Sequence, residues 1–284
     1  MTIRVRHILL AVMALAPTEI YAFDLADSHA PALGQTVVLS QSTPTTLVNT
    51  PGGGMINRSI RFEIGYNRKY DLADLDRVFV AAATRRGSIT AAIGLSQFGK
   101  SALYSEKLVK GMISYQRGQA AIGFTGSAIE VRFGGNYGQF RAATFGAGVA
   151  VQSTRLRGAV VADNLTRPRL FVSAVPYPRT ARMNFELLTE RHLSVTLRTT
   201  MTEHEKPRVG LGQRIPLSKV SALYWGVSTR PLEYGAGVDI GRKGMVFTYT
   251  AGIHPVLGFS QTISLSIGTG RADRQLGSPK GDEF

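Results

Sequence analysis

The chain alternates apolar and polar residues over most of its length. In the stretch 259–268, FSQTISLSIG, four of the five odd-numbered residues are apolar and every even-numbered residue is small. Successive side chains of a strand point to opposite faces, so this alternation predicts a strand with one apolar face and one Ser/Thr face. The apolar face holds Phe259, Ile263, Leu265 and Ile267, and the polar face holds Ser260, Thr262, Ser264 and Ser266.

The same period of two recurs from residue 59 onwards and predicts fourteen strands. Short turns with Arg or Lys beside Gly, at 84–88, 115–119, 155–159 and 241–245, alternate with longer polar connections. This alternation indicates an antiparallel meander with two unlike ends. The segment 166–179 is ambiguous, and we interpret it as a long loop with a short β extension. The predicted strands are 59–70, 77–85, 88–98, 105–116, 120–133, 140–153, 157–165, 180–188, 191–202, 206–214, 219–228, 232–241, 244–251 and 259–268.

Two architectures fit such strands: a membrane barrel with its apolar face outward, and a soluble secreted or periplasmic β-rich ligand-binding protein with its apolar face inward. The polar faces carry mostly Ser, Thr and Gly, whereas a soluble surface usually carries many Lys and Glu. Strands of this length match the ~9–11 residues that cross a bilayer at a tilt. We therefore predict an all-β fold, an antiparallel up-and-down transmembrane β-barrel. Its scattered charges are expected to face the lumen: Arg61, Glu63, Glu130, Arg132, Arg198 and Asp239.

The two ends of the chain differ from the alternating part. Residues 1–22 have a basic start, an apolar block at 8–16 and a small residue at the end, which is the order of a secretory signal peptide. Residues 23–58, with many Pro, Thr, Gly and Ser, are predicted as a plug-like N-terminal segment inside the barrel of 59–268. The polar residues 269–284 are predicted as a tail.

Composition limits both chemistry and partners. The chain has no Cys, which excludes disulfides, thiolate metal sites and a lipid anchor at the cleavage site. Its net charge of +14 is spread along the chain without a single cluster. For an exported protein this favours lipopolysaccharide phosphates over nucleic acid as an anionic partner. Outer-membrane lipid is the main expected partner, periplasmic or secretion proteins are further candidates, and a monomer without a cofactor is predicted.

Catalytic chemistry is only weakly indicated, and we predict a protein that is not an enzyme. His192 and Ser194 share a strand face, but chance pairing in a Ser/Thr-rich strand is the simpler interpretation. Gly235, Gly237 and Gly241 lie in a strand pattern with no following helix, which indicates close packing at the barrel wall rather than nucleotide binding. No two-His metal spacing occurs among the histidines beyond the signal peptide, which are His29, His192, His204 and His254.

Several short motifs resemble outer-membrane proteins of the PorV/PorQ family, relatives of the FadL-like fatty-acid transporter class. VNTPGGG resembles the Asn-Pro-Ala-Gly element that precedes the first strand of these barrels, with Asn49, Pro51 and Gly52 in the corresponding places. ADNLT at 162–166 resembles the Asn-Leu-Gly that ends their seventh strand. Near the C-terminal end the corresponding residues are Tyr249, Thr250, His254, Pro255, Leu257, Gly258, Ser264, Leu265 and Ser266.

The resemblance implies a fourteen-strand barrel with an N-terminal segment folded into it. Members of the family range from uptake of hydrophobic molecules to accessory roles in protein secretion, so the fold does not fix the function. We expect either passage of small hydrophobic or anionic molecules, or docking of envelope or secretion proteins. The chain departs from the family pattern where Thr50 separates Asn49 from Pro51, where Thr166 follows Leu165, and where it continues past Gly268.

Overall fold

The computed structural model describes residues 25–41, 43–53, 60–100, 104–134, 138–170, 175–189 and 193–268. The alternating stretches of sequence form fourteen strands there. These are β1 (Ile60–Arg68), β2 (Asp76–Arg86), β3 (Ile89–Lys100), β4 (Tyr104–Arg117), β5 (Ala120–Phe133), β6 (Gln139–Gln152), β7 (Leu156–Asp163), β8 (Thr180–Leu188), β9 (Ser194–Thr202), β10 (Arg208–Pro216), β11 (Ser221–Ser228), β12 (Glu233–Arg242), β13 (Met245–His254) and β14 (Gly258–Gly268).

The sheet closes on itself. Each strand pairs antiparallel with its neighbours in the sequence, and β1 also pairs with β14. In that closing pair Ile64 lies opposite Leu265, and Glu63 lies opposite Ser266. Closure removes the unpaired sheet edge that hydrocarbon could not solvate. The predicted fourteen-strand antiparallel barrel is therefore confirmed.

The two ends of the barrel differ in the length of their connections. Ile60 and Gly268 lie at the end with the tight turns, which we call the turn end. Gly87, Gly118 and Gly244 have φ values of 61°, 58° and 84° in those turns. Such positive values are what a short hairpin turn needs, and glycine adopts them without strain. The placement of Arg and Lys beside Gly therefore marks one end of the barrel.

The opposite end carries the longer connections, and we call it the loop end. The longest of them joins β7 to β8. Its described residues, 164–170 and 175–179, contain no strand, in agreement with the interpretation of this segment as a loop. Leu170 and Tyr177 of this loop pack against apolar residues of the barrel interior. The loop therefore folds back towards the lumen.

The outside of the barrel is apolar and the inside is polar and small. On the apolar face Ile64 is 53% exposed and Phe145 is 63% exposed, whereas Thr262 and Ser264 on the polar face are only 1% and 3% exposed. A soluble ligand-binding protein would bury the apolar face, so the soluble alternative is not supported. The final strand thus presents Phe259 and its apolar companions outward, as a barrel surrounded by lipid requires.

The interior is filled by the N-terminal residues 25–41 and 43–53, which we call the plug. It contains a 3₁₀ turn, Leu39–Gln41, and one short helix, α1 (Pro44–Asn49). Thr43 caps this helix by accepting a hydrogen bond at Oγ1 from the backbone N–H of Thr46 (3.2 Å). Every residue of α1 is buried, so the helix is held by the barrel rather than by its own length.

Some sequence predictions concern residues outside the described ranges. These are the signal peptide at 1–22, the end of the N-terminal segment at 54–58, the tail at 269–284 and the strand position of His192. In the described part of the chain, no helix has the length and apolar character needed to cross a membrane.

Candidate functional site

The plug follows the inner wall around most of its circumference. It begins with Leu25 against Gly94 of β3 and passes β1, where Ser28 donates a hydrogen bond to Glu63. It then crosses β12, β11, β10 and β9, and reaches β8 at the 3₁₀ turn. Helix α1 returns across the lumen to β1–β4, and the segment ends at Gly52 against β5. The lumen is therefore crossed by the plug over the described residues.

Glycines in the wall make room for the plug backbone. A Cβ atom at Gly235 would lie 1.8 Å from the carbonyl oxygen of Pro31, and one at Gly210 would lie 2.1 Å from that of Gly34. A Cβ atom at Gly226 would lie 2.2 Å from the carbonyl carbon of Leu33. Only glycine permits so close an approach of two backbones. The close packing expected at the glycines of β12 is thus packing against the plug.

Buried carboxylates of the wall hold the plug by hydrogen bonds. Glu63 accepts bonds from Ser28 Oγ (2.7 Å), from the backbone N–H of Thr45 (3.1 Å) and from Thr45 Oγ1 (2.8 Å). Glu186 accepts bonds from the backbone N–H of Ser40 (2.6 Å) and from Ser40 Oγ (2.5 Å). Each of these buried acidic side chains thus accepts more than one hydrogen bond from the plug. These acidic side chains therefore serve as anchors.

A third anchor joins His29 of the plug to Asp239 of β12. His29 Nε2 lies 3.1 Å and 3.2 Å from the two carboxylate oxygens, and Thr248 donates a bond of 2.6 Å to the same group. Tyr224 also donates to Asp239, and Arg214 Nε donates to the Tyr224 hydroxyl at 3.2 Å. Burial lowers the pKa of His29, but the charge and hydrogen bond of Asp239, together with the charges of Asp27 and Glu63, outweigh burial and raise this pKa to about 9. His29 is therefore a cation at neutral pH and forms a buried ion pair.

The N-terminal motif residues lie at the end of the plug. Asn49 closes the plug on itself, because its side chain donates to the carbonyl of Leu25 (2.6 Å) and accepts from the N–H of the same residue (3.1 Å). Arg182 of β8 donates to the Asn49 carbonyl at 3.2 Å. A Cβ atom at Gly148 of β6 would lie 2.5 Å from the carbonyl oxygen of Pro51. Asn49 and Pro51 therefore fix where the plug meets the wall.

One half of the lumen is apolar. Buried side chains of the plug, Leu25, Leu47 and Val48, pack in one cluster with inward residues of β2–β5. Towards the loop end this cluster continues into an aromatic row, in which neighbouring ring centroids are 5.3–6.3 Å apart. The row consists of Phe98, Tyr104, Phe133 and Phe140. The wall side of the cluster consists of Phe79, Ala81, Ala83, Ala92, Leu108, Met112, Ile129 and Val131.

Polar groups at the loop end surround this aromatic row. The guanidinium of Arg77 lies 5.2 Å from the centroid of Phe98, within cation–π range. Tyr177, from the β7–β8 loop, packs against the apolar cluster. Burial and the nearby Glu106 raise the pKa of Tyr177 to about 12, so its hydroxyl remains a neutral donor. We call the aromatic row with Tyr177 the vestibule.

The other half of the lumen is basic. Five inward-facing arginines lie on the four neighbouring strands β7–β10. Part of their charge is balanced, since Arg182 and Lys110 both pair with Asp163. Nη2 of Arg214 and both Nε and Nη1 of Arg157 are buried without a hydrogen-bond partner among the described residues. The arginines are Arg157, Arg182, Arg198, Arg208 and Arg214.

Of the six charged residues expected in the lumen, four point inward. Glu63 and Asp239 anchor the plug, Arg198 donates to Asn184 Oδ1 at 2.6 Å, and Arg61 lies on the inward parity of β1. These positions follow from the strand parity that the sequence shows.

The prediction that Glu130 and Arg132 face the lumen is wrong. Both have the outward parity of β5, together with Ile122 and Phe124, which are 45% and 56% exposed. The inward neighbours Ile129 and Val131 are 2% and 0% exposed. The physical reason is the length of β5: the strand continues past the apolar band, and its outer face becomes charged there.

Sequence reasoning missed the vestibule and the importance of His29. Phe98, Phe133 and Phe140 lie on faces that were expected to be polar, so the rule that assigned apolar residues to the outside did not find them. A signal was present, since each follows the inward parity of its strand. Among the described residues, no group of three or more His, Asp or Glu side chains is arranged to hold a metal ion.

Comparison with known proteins supports the fold. No protein-family profile and no curated protein sequence matches the chain. The toluene transporter TbuX of Ralstonia pickettii is similar in structure, with a TM-score of 0.60 and 9% sequence identity over 87% of this chain and 98% of that one. The toluene transporter TodX of P. putida has a TM-score of 0.58 at 9% identity over 87% of this chain and 97% of that one. The likeness supports the fold, a fourteen-strand barrel, and membership of the FadL-like class or the PorV/PorQ family stays a prediction.

Proposed function

We propose that the chain is a monomeric outer-membrane barrel, exported by a signal peptide at 1–22, that passes small molecules and has no catalytic chemistry of its own. Its apolar outer face, polar inner face and closed sheet are what a membrane barrel requires. A likeness to solved transporters adds support.

The substrate class that we propose is small and largely apolar. The observation that carries this proposal is the continuous apolar surface from the vestibule down to the plug residues Leu25, Leu47 and Val48. Aromatic walls with a few polar groups at their rim are typical of sites for apolar ligands. The structural likeness to two toluene transporters points to molecules of about that kind.

Uptake of labelled toluene by cells that carry the protein tests this proposal. We expect Phe133→Ala, in the vestibule, to reduce the uptake rate several-fold, because its ring packs against both Tyr104 and Phe140. Phe247→Ala on the outer face, where the ring is 42% exposed, is the matched control and should leave uptake unchanged. Uptake equal to that of cells without the protein would contradict the proposal.

A docking role in the envelope, with periplasmic or secretion proteins as partners, is the second candidate. The docking role is favoured by the hydrogen bonds between the plug and the wall, since a plug held by three carboxylate anchors closes the channel. Conductance of planar bilayers with and without residues 23–58 distinguishes the two. If deletion of residues 23–58 produces ion conductance, passage is supported. If the folded barrel without these residues still conducts no ions, docking is supported.

A further inference from the structure

A charged cluster lies on the outer face of the barrel at the loop end, which we call the outer cluster. It consists of Lys107 of β4, Glu130 and Arg132 of β5, and Arg141 of β6. Lys107 lies directly opposite Glu130, and Glu130 lies opposite Arg141. The Arg141 guanidinium is 3.0 Å from the Glu130 carboxylate, and that of Arg132 is 3.9 Å from it. One carboxylate thus pairs with arginines on two adjacent strands and lies opposite a lysine on the third.

The outer cluster begins where the apolar band ends. Residues 120–128 of β5 match the ~9–11 residues that cross a bilayer at a tilt, and Glu130 is the next outward side chain. On β6 the apolar band runs from Val151 to Ala143 and has the same length as that of β5. Arg141 is the next outward residue. The outward residues of these two bands are Ala120, Ile122, Phe124, Gly126 and Ala128 on β5, and Val151, Val149, Ala147, Phe145 and Ala143 on β6.

The charge of the outer cluster is not balanced. Three cations surround one carboxylate, whereas other exposed pairs at the loop end match one cation to one carboxylate. Those matched pairs are Arg68–Asp76, Lys100–Asp74 and Arg167–Glu203. The Arg141 side chain is 76% exposed, so part of its fork of N–H donors remains open to a ligand. A surplus of two positive charges at this height favours an anionic partner.

We propose that the outer cluster is a binding site for the phosphorylated headgroup of an outer-leaflet lipid. Such headgroups lie at the level where the hydrocarbon ends, which is the level of Glu130 and Arg141. Arginine forks bind phosphate oxygens bidentately, and Lys107 adds a point charge beside them. Glu130 positions Arg141 and takes no part in the lipid contact. The site also assigns the loop end to the cell exterior.

The test is the thermal stability of the purified barrel with added lipid A. Bisphosphorylated lipid A is expected to raise the melting temperature of the wild-type protein, and fully dephosphorylated lipid A is expected to leave it unchanged. The triple variant Lys107→Ala, Arg132→Ala, Arg141→Ala should lose about a hundredfold in lipid affinity, since each of the three cations near such a surface is worth roughly a factor of five. The matched control removes Arg86, Arg117 and Lys243 at the turn end.

A further variant separates binding from folding. Glu130→Gln removes the one negative charge and keeps the shape, so the barrel should bind the phosphorylated lipid more tightly than the wild type does. The heat-modified gel shift shows whether each variant is folded. Equal affinity of the folded triple variant and the wild type would overturn the proposal, as would an equal response to dephosphorylated lipid A. An equal loss in the turn-end control would show nonspecific attraction and would overturn it as well.

Discussion

The imidazole of His29 lies 3.1 Å from the carboxylate of Asp239, although 210 positions separate the two residues in the chain. The pair joins the plug to the barrel wall, and its surroundings are buried. Breaking a buried pair by removing one charge costs about 3–5 kcal/mol, because the other charge is left without compensation.

Asp239→Asn should therefore release the plug locally. Ala32 lies in the plug near this anchor and is fully buried, so a cysteine placed there in the Cys-free chain reports on opening. We expect a water-soluble thiol reagent to modify it at least tenfold faster in Asp239→Asn. Asp74→Asn, which removes the partner of Lys100 in an exposed pair, is the control and should have no effect. Equal rates in all three proteins would contradict the anchor.

The same pair predicts a dependence on pH. The pKa of His29 is raised from 6.5 to about 9 in the folded protein, so the folded state binds the proton more tightly. The stabilisation is complete below about pH 6.5 and is lost as the pH rises through about 9. Modification of the cysteine at position 32 should accelerate between pH 8 and 10 beyond the ordinary increase in thiolate. His29→Gln should show only that ordinary increase.

Gly235→Ala should displace the plug from β12. The added Cβ atom would lie 1.8 Å from the carbonyl oxygen of Pro31, so the two backbones must separate. We expect a lower melting temperature and measurable ion conductance in planar bilayers. Gly111→Ala is the matched control, since nothing lies within 4 Å of its Cβ position, and it should behave as the wild type does.

Leu265→Arg should destabilise the barrel in lipid by about 2–4 kcal/mol if the residue lies near the bilayer midplane. Leu265 is outward and lies beside Ile64 and Phe247. Folding titrations in vesicles measure this cost. Arg68, at the loop end of β1, already carries a charge on the outer face, and Arg68→Lys should have little effect by comparison.

Much of the barrel could be predicted from the sequence, because a period of two determines which side chains share a face. The final strand shows this best, with Ile263 outward and Thr262 inward as expected. Glu130 shares the outward parity of Ile122 and Phe124, and the rule that failed was the one that placed charged residues in the lumen, because β5 extends beyond the apolar band. The extension of β5 beyond the apolar band is set by the tilt and register of the strands, which cannot be derived from a single sequence.

The candidate site was less predictable than the fold. The plug contacts depend on pairs such as Ser40 with Glu186, which are 146 positions apart and carry no local signal. The sequence did not predict Phe133 as a lumen residue, because the rule assigns polar residues to the lumen and apolar residues to the exterior. Asn49 was singled out by a resemblance, and its role in closing the plug on Leu25 required coordinates.

The central claim is that the apolar face of the strands contacts lipid while the lumen holds the plug. The most direct measurement uses single cysteines at positions 265 and 264 of the Cys-free chain, reconstituted in vesicles with spin-labelled lipid. Leu265 is 36% exposed on the outer face and Ser264 is 3% exposed inside. A fluorophore at 265 should be quenched strongly by the lipid label, and position 264 should resist both labelling and quenching. Equal absence of lipid quenching at the two positions would contradict the account.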